Sequence, residues 1–176
     1  DLATITEWGL HKVWWRIRRD AAANRVAYFM AECSSRMFNQ HDPHPGVFDA
    51  LVGALDQLES GSNHDMVLTR FLWTLLVDSG FKPELQVSPE KIDPNTQTIL
   101  FSPREGGVVD GPEVPGRWRV RVSTLSILDL DDPQSLDRYV LPEPMRLSMR
   151  NLVLRIHEGV KITAGTKMLS LDNDPE

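Results

Sequence analysis

Histidine and carboxylate side chains that lie close together in the chain could bind a metal ion. Imidazole nitrogens and carboxylate oxygens are common zinc ligands. The residues concerned are His41, Asp42, His44 and His64. They lie in or near predicted loops, and no two of them are placed as a ligand pair on one helix face. We therefore interpret them as solvated loop residues and expect no bound metal.

Thiol and hydroxyl groups are the other candidates for chemistry. Cys33 is the single cysteine, and its neighbours at helical spacing are apolar, so we expect a packed core residue and not a nucleophile. Ser34 and Ser35 lack the Gly-x-Ser-x-Gly context of a hydrolase nucleophile. The chain also has no phosphate-binding loop and no dinucleotide-binding glycine motif. The sequence therefore predicts a protein that is not an enzyme and needs no cofactor.

A run of cations and tryptophans near the start of the chain could bind nucleic acid. Aromatic rings stack on bases and arginines neutralise phosphates, which favours single strands. The candidate residues are Lys12, Trp14, Trp15, Arg16, Arg18 and Arg19. The alternative, which we favour, is an amphipathic helix whose tryptophans pack into a helical core while its arginines stay in solvent. The two interpretations are compatible if the outward arginines border a groove.

Charge is distributed unevenly along the 176 residues, whose net charge is −6. Six basic and four acidic residues give residues 1–40 a charge of +2, which leaves −8 for the remainder. Because phosphate neutralisation needs clustered cations, this balance argues against nucleic-acid binding by the chain as a whole. No apolar run approaches the roughly 18–20 residues that cross a bilayer. A single cysteine cannot form an internal disulfide. We expect a cytoplasmic protein without membrane contact.

Apolar residues recur at three- and four-residue steps in three segments before residue 80, which predicts an antiparallel bundle of amphipathic helices. The first helix is predicted from Ala21 to Phe38 and the second from Val47 to Leu58. Asn63 or Asp65 can cap the third helix. Two prolines and a glycine within residues 41–46 predict the first loop.

A sharp corner is predicted after the third helix. Gly80 suits the left-handed backbone at a helix end, and Phe81 is expected to fold back onto the bundle as the apolar contact beyond it. Pro83 prevents further helix. Residues 80–83 therefore mark the edge of the bundle.

The chain beyond this corner contains frequent prolines and glycines up to residue 116, which predicts short strands. Residues 117–122 alternate, so Trp118, Val120 and Val122 are expected on one strand face and three arginines on the other. Two helices should follow. The predicted segments are strands at 96–101, 108–109 and 117–122 and helices at 123–130 and 143–157.

Together these segments predict a mainly α fold, an antiparallel helical bundle with a small β or irregular insert. Residues 1–85 are expected to form the bundle and residues 86–122 the strand-bearing insert. Residues 123–176 are expected to supply C-terminal helices that complete the bundle, with a frayed polar end at 170–176.

Four local patterns resemble, in the same order, the central and C-terminal regions of the RecO family of bacterial recombination mediators. They extend over roughly residues 20–110. The patterns are Phe-Met-Ala-Glu at 29–32, His-Pro-Gly-Val-Phe-Asp-Ala-Leu at 44–51, Arg-Phe through Leu-Leu into Gly-Phe-Lys-Pro-Glu-Leu at 70–85, and Phe-Ser-Pro through Gly-Gly-Val at 101–108. The resemblance implies the mainly helical fold of the family's C-terminal domain.

The chain departs from the family pattern in its insert. Many members hold a structural zinc with four cysteines, at positions where this chain has residues 87–90 and 109–112, none of them cysteine. The insert is therefore expected to be a degenerate zinc-finger-like module without zinc, and more mobile than the bundle. Without the metal, apolar side chains must dock it against the bundle. These side chains are Ile99, Phe101, Val108 and Trp118.

The second departure is the absence of the family's N-terminal OB-fold. The chain begins with Asp1 and not with methionine, so we expect a fragment of a longer protein. In the family, the OB-fold carries much of the binding to nucleic acid and to RecR. We therefore expect weak binding of single-stranded DNA and RecR binding that requires the missing domain.

The resemblance implies a non-enzymatic, nucleoid-associated mediator that displaces single-stranded DNA-binding protein (SSB), loads recombinase in gap repair and anneals strands. The family's helical body docks the acidic C-terminal tail of SSB, which needs an apolar pocket and a cationic rim. Arg70 beside Phe71, with Arg19 or Arg25 nearby, is the expected site. Thr69 stands where some members have a second basic residue. The alternative, a core phenylalanine beside a solvated arginine, stays open.

Overall fold

The computed structural model describes residue 7 and residues 9–38, 42–86, 97–129 and 143–164, with side chains in the last range described for residue 143 and residues 146–158. Predictions on His41, residues 87–90, the side chain of Met145 and residues 170–176 lie outside these ranges. The elements, in chain order, are α1 (Ala21–Met37), α2 (Pro45–Ser60), α3 (His64–Asp78), β1 (Thr98–Ser102), β2 (Gly107–Val108), β3 (Trp118–Arg121), α4 (Val122–Leu128) and α5 (Glu143–Ala164).

Helix α1 agrees with the predicted first helix. It begins after Asp20, whose carboxylate accepts hydrogen bonds from the backbone N–H groups of Ala22 and Ala23, as an N-cap does. The apolar stripe faces inward, with Phe29 and Met30 buried. Cys33 is fully buried in the same stripe, which confirms the prediction of a packed core cysteine.

Helix α2 begins two residues earlier than predicted, at Pro45. The fixed φ of proline suits the first helical position, where its missing N–H costs nothing. The helix ends at Gly61, whose φ of +86° is left-handed. Asn63 then caps α3 by accepting a hydrogen bond from the Met66 N–H at 3.1 Å, so the first of the two predicted caps is the one used.

Helix α3 is the central helix, because α1, α2 and α5 all pack against it. Nine of its fifteen residues are buried. Its end has the predicted glycine corner: the Gly80 N–H donates to the Val77 carbonyl and the Phe81 N–H to the Leu76 carbonyl, a Schellman arrangement. The predicted inward contact by Phe81 is wrong, since this ring is 45% exposed. Leu85, at 2% exposed, takes the buried position beyond the corner.

Two contacts show how the first three helices are oriented. At one end, His64 at the start of α3 lies 3.7 Å from Asp20 at the start of α1. At the other end, His44 at the start of α2 lies 2.6 Å from Asp78 at the end of α3. Helices α1 and α3 therefore run in the same direction, and α2 runs antiparallel to both.

The insert is a three-stranded antiparallel sheet in the order β2-β1-β3. Its predicted apolar docking is confirmed: Phe101 is fully buried in the core, and Ile99, Val108 and Trp118 pack against it. Arg119 and Arg121 are exposed while Val120 is buried, which confirms the alternation of β3. The predicted strand includes Val122, but in the structure Val122 begins α4.

Backbone contact with the bundle's corner also fixes the insert. Gly107 pairs with Glu84, and the Glu84 N–H donates to the Gly106 carbonyl at 2.7 Å. Gly107 has a φ of +150°, and a Cβ there would collide with the backbone of Glu84. The close approach therefore explains why glycine occupies this position.

Helix α5 returns to the bundle and packs along α3. It continues to Ala164, beyond the predicted end. Arg150 of α5 donates to Asp65 of α3 at 2.7 Å, and the buried apolar residues of both helices belong to one core cluster. The buried face of α5 consists of Met149, Leu152, Val153 and Ile156, together with His157. The chain therefore has the predicted mainly α fold.

Within the described ranges, no helix combines the length and the apolar character needed to cross a membrane.

Candidate functional site

The basic-aromatic segment, residues 12–19, lies beside the C-terminal end of α2. Its prediction as a helix is wrong: residues 12–14 have no regular structure and residues 15–19 form a turn. Contacts with α2, 42 or more residues away in sequence, account for this difference. Glu59 accepts hydrogen bonds from the backbone N–H groups of Arg16 and Ile17, which in a helix would donate to the preceding turn.

Asp56 of α2 binds the first half of the segment. The Trp14 Nε1–H donates to Asp56 Oδ1 at 2.7 Å, and Lys12 Nζ lies 2.5 Å from the same oxygen. The hydrogen bonds from Lys12 and then from Trp14 lower the pKa of Asp56, because both favour the ionised carboxylate. Trp14 is half-buried and packs against the core.

Glu59, one turn further along α2, binds the backbone of the segment. Its carboxylate accepts from the Arg16 N–H at 2.9 Å and from the Ile17 N–H at 3.3 Å. The side chain of Ile17 is buried. The Arg16 guanidinium covers Gly61, so that a Cβ on Gly61 would lie 2.5 Å from Arg16 Nη1. The end of α2 thus supplies two carboxylates and a bare backbone position to the segment.

Three further side chains of the segment face solvent, those of Trp15, Arg18 and Arg19. Trp15 is 56% exposed, and the Arg18 Cζ lies 5.3 Å from its ring centroid, within the range of a cation–π interaction. Arg19 is also exposed. The six residues predicted to bind nucleic acid are therefore divided. Lys12, Trp14 and Arg16 contact α2, whereas Trp15, Arg18 and Arg19 point outward.

The residues predicted to bind the SSB tail lie on α1, on the turn before it and on α3. Arg25 is exposed on α1, and Arg19 directly precedes the cap of that helix. On α3, the Arg70 Nη1 donates to Gln57 Oε1 of α2 at 2.8 Å. Phe71 is 2% exposed within the core cluster, so a ligand reaches its ring only if neighbouring side chains move.

Sequence reasoning missed one exposed aromatic residue on α1. Tyr28 is 72% exposed and lies one turn after Arg25. The available signal was its position outside the apolar stripe, since Phe29 and Met30 occupy the buried face. The exposed faces of the turn and of α1 therefore present both cations and aromatic rings.

The histidines join helix ends. His44 Nδ1 lies 2.6 Å from Asp78 Oδ2 and His44 Nε2 lies 3.3 Å from Asp42 Oδ2, while its ring centroid is 3.7 Å from that of Phe38. Burial lowers the pKa of His44, but the hydrogen bonds to Asp78 and Asp42 outweigh burial and leave that pKa raised. His64 lies at the opposite end of α3. In the described part of the chain, no group of three or more metal-ligating side chains forms.

An arginine cross-links the loops of the insert. Arg117 donates to both carboxylate oxygens of Glu105, at 2.7 and 2.6 Å. It also donates to the carbonyls of Asp110 and Pro112. The hydrogen bond from Arg117 lowers the pKa of Glu105. A guanidinium thus holds residues 109–112 to the β1–β2 turn, in the region where the zinc-binding pattern would place cysteines.

The fold and these surfaces define a mainly helical domain with outward cations and aromatic rings and a small sheet cross-linked by an ion pair. The family model described as "Recombination protein O C terminal" matches residues 18–138, more than half of the chain. The chain therefore belongs to the RecO family.

Curated relatives agree with this assignment. A protein from Dehalococcoides mccartyi named DNA repair protein RecO is 30% identical over 94 residues, which cover 53% of this chain and 37% of the relative. A protein of the same name from Nitrobacter hamburgensis is 28% identical over 117 residues, which cover 64% of this chain and 46% of the relative. The chain thus spans less than half the length of these relatives. No solved structure matches it significantly.

Proposed function

We propose that this chain is the helical body of a recombination mediator that acts in DNA repair by binding and without catalysis. The match to the RecO C-terminal family over residues 18–138 carries the proposal, and the relatives' name, DNA repair protein RecO, supports it. Its proposed roles are SSB displacement, recombinase loading in gap repair and strand annealing at the nucleoid. RecR is a further proposed partner, with binding that requires the family's N-terminal OB-fold.

We also propose the domain boundaries given by the sequence, namely residues 1–85, 86–122 and 123–176. The shared core cluster supports grouping the C-terminal helices with the bundle, because α5 packs on α3. The docked sheet supports a separate insert between them.

The partner proposed for the bundle is the acidic C-terminal tail of SSB. The proposed site is Arg19, Arg25 and Arg70 with Phe71. A carboxylate-rich peptide is bound best by guanidinium groups, which donate two parallel hydrogen bonds. Arg19 and Arg25 are exposed. Phe71 supplies the floor of the site and not its surface, given its burial.

Direct binding of single-stranded DNA is the second candidate function. The exposed Trp15 ring beside Arg18 favours it, because a base can stack on such a ring. Only some of the six predicted residues are available to bind DNA, since Lys12 and Trp14 bind Asp56. We therefore expect oligonucleotide binding to be weak.

Titrating the full chain into a fluorescent SSB-tail peptide and, separately, into a fluorescent oligonucleotide tests the proposal. We expect saturable peptide binding that Arg25→Glu and Arg70→Glu each weaken about tenfold. Arg104→Glu is the matched control, because it makes the same charge change at an exposed position in the insert. Phe71→Ala would not separate lost binding from lost folding, since a core truncation of this kind lowers the free energy of unfolding by about 3–5 kcal/mol.

Two outcomes would contradict the proposal. Absence of peptide binding by the unmodified chain would remove SSB docking. A dominant oligonucleotide signal, lost steeply with added salt, would establish the second candidate function instead.

A further inference from the structure

The end of α2 fixes one face of the basic-aromatic segment, while Trp15, Arg18 and Arg19 stay exposed. We infer that Asp56, Glu59 and Gly61 are positioning residues that hold Trp15 and Arg18 outward as the contact surface for an acidic peptide. The inference rests on the proposed function, which supplies the peptide as partner. It assigns the aromatic contact to Trp15, which is 56% exposed.

The segment is anchored first through two side chains and then through its backbone. Side chains of Lys12 and Trp14 bind Asp56, and the backbone of Arg16 and Ile17 binds Glu59. A segment without regular structure gains little from its own hydrogen bonds, and ordering each residue costs about 1–2 kcal/mol. Anchoring to a helix that is already ordered spares a partner much of that cost, which is how preorganisation raises affinity.

Gly61 completes this anchor. Its left-handed φ of +86° ends α2, and the Arg16 guanidinium occupies the space that a side chain would fill. Arg16 therefore packs on the helix end, and the turn that follows carries Arg18 back over the Trp15 ring at 5.3 Å. A side chain at position 61 would push the Arg16 guanidinium out of this place, and we expect the neighbouring Trp15 and Arg18 to shift with it.

The outward groups suit a short acidic peptide better than a nucleic-acid strand. Arg18 and Arg19 offer guanidinium donors that can pair with carboxylates, and the Trp15 ring offers an apolar surface for a peptide side chain. Affinity for nucleic acid grows with the number of phosphates neutralised. Two outward arginines, Arg18 and Arg19, match the few carboxylates of a short peptide better than the many phosphates of a strand.

Two glycines at helix ends provide a matched pair of variants. Gly61 and Gly80 both have left-handed φ values, +86° and +76°, so Gly61→Ala and Gly80→Ala should lower Tm by similar amounts. A Cβ at Gly80 meets nothing within 4 Å, whereas a Cβ at Gly61 displaces Arg16. Only Gly61→Ala should disturb the basic-aromatic segment.

The experiment measures SSB-tail peptide affinity and amide hydrogen exchange for the full chain, both variants, Trp15→Ala and Glu59→Gln. We expect Gly61→Ala and Glu59→Gln to speed exchange over residues 12–19 and to weaken peptide binding about tenfold. Trp15→Ala should weaken peptide binding by the same factor, but it should leave exchange over residues 12–19 unchanged. Gly80→Ala should have the same peptide affinity as the unmodified chain and the same exchange over residues 12–19, despite its lower Tm.

Each contrary outcome has a separate meaning. Equal peptide affinity in the two glycine variants, or unchanged affinity in Trp15→Ala, overturns this inference and leaves the proposed function standing. No peptide binding by the unmodified chain overturns the proposed function and this inference with it. An oligonucleotide that binds in place of the peptide, and loses binding on Trp15→Ala, overturns the peptide as the partner of this surface.

Discussion

The helical bundle and the strand-bearing insert are stabilised by different interactions. The bundle is held by apolar burial around α3, where nine of fifteen residues are buried. The insert buries few side chains, chiefly Phe101 and Val120, and adds an arginine cross-link and a close backbone contact at Gly107. Burial follows a sequence period, whereas cross-links and close contacts depend on pairs far apart in the chain. The two regions should therefore respond differently to substitution, salt and pH.

The largest loss is expected in the core of the bundle. Leu72 is fully buried in the centre of α3, so Leu72→Ala should lower the free energy of unfolding by about 3 kcal/mol, through lost burial and a cavity. Urea denaturation followed by circular dichroism measures this. Val77→Ala on the same helix is the control, because Val77 is 42% exposed, and its loss should be under about 1 kcal/mol. Equal losses of unfolding free energy in the two variants would contradict a bundle that is stabilised by apolar burial.

A smaller loss, confined to the insert, is expected for Gly107→Ala. The new Cβ would meet the Glu84 backbone at a φ of +150°, and such strain costs about 1–3 kcal/mol. Amide exchange should rise first at Glu84 and Val108, whose N–H groups join the insert to the corner. Gly116→Ala, also left-handed but with open space around it, should leave these amides unchanged. If Gly107→Ala instead raised amide exchange equally throughout the bundle, the insert would not be a separate unit.

The arginine cross-link should contribute less, and its contribution should depend on salt. Arg117→Gln removes two hydrogen bonds to Glu105 and two to carbonyls, so we expect a small fall in Tm that shrinks as salt screens the pair. Arg119→Gln is the control, since Arg119 has a longer, more exposed pair with Glu113 at 3.3 Å. A larger fall in Tm for Arg119→Gln than for Arg117→Gln would contradict a stabilising role of the Arg117–Glu105 pair.

The pH dependence of this cross-link follows from Glu105. Its pKa is lowered in the folded chain, so its stabilisation is present above the unfolded pKa and is lost as the pH falls through the folded pKa. Between pH 6 and 9 the effect of Arg117→Gln on Tm should therefore stay constant.

The smallest effect is expected at His44 in the bundle, with the opposite dependence on pH. The pKa of His44 is raised in the folded chain, so its stabilisation is fully present below the ordinary pKa of about 6.5 and is lost as the pH rises through the folded pKa. The Tm difference between the unmodified chain and His44→Gln should shrink from pH 5.5 to pH 8.5. A difference that grows with pH would contradict the pairing with Asp78.

Periodicity explains which elements could be predicted from the sequence. The buried stripes of α1 and α3, the cap at Asn63 and the alternation of β3 depend on neighbours within a few residues, and the structure contains all of them. The predicted start of α2 lies two residues late, because a proline that breaks a helix interior also suits the first helical position.

Long-range contacts explain what the sequence did not predict. The basic-aromatic segment resembles a helix in composition, but Asp56 and Glu59 determine its conformation from more than 40 residues away. Nothing local distinguishes the half-buried Trp14 from the exposed Trp15. The pairing of Arg117 with Glu105 likewise depends on sheet order, which residue types alone do not specify.

Competition between peptide and nucleic acid tests the central claim, that this domain acts by docking an acidic peptide. The unmodified chain, saturated with fluorescent SSB-tail peptide, is titrated with an excess of unlabelled single-stranded oligonucleotide, and anisotropy is followed at constant salt. The account predicts saturable peptide binding that the oligonucleotide leaves largely intact. Failure of the peptide to bind, or its full displacement by oligonucleotide at equal concentration, would contradict the account.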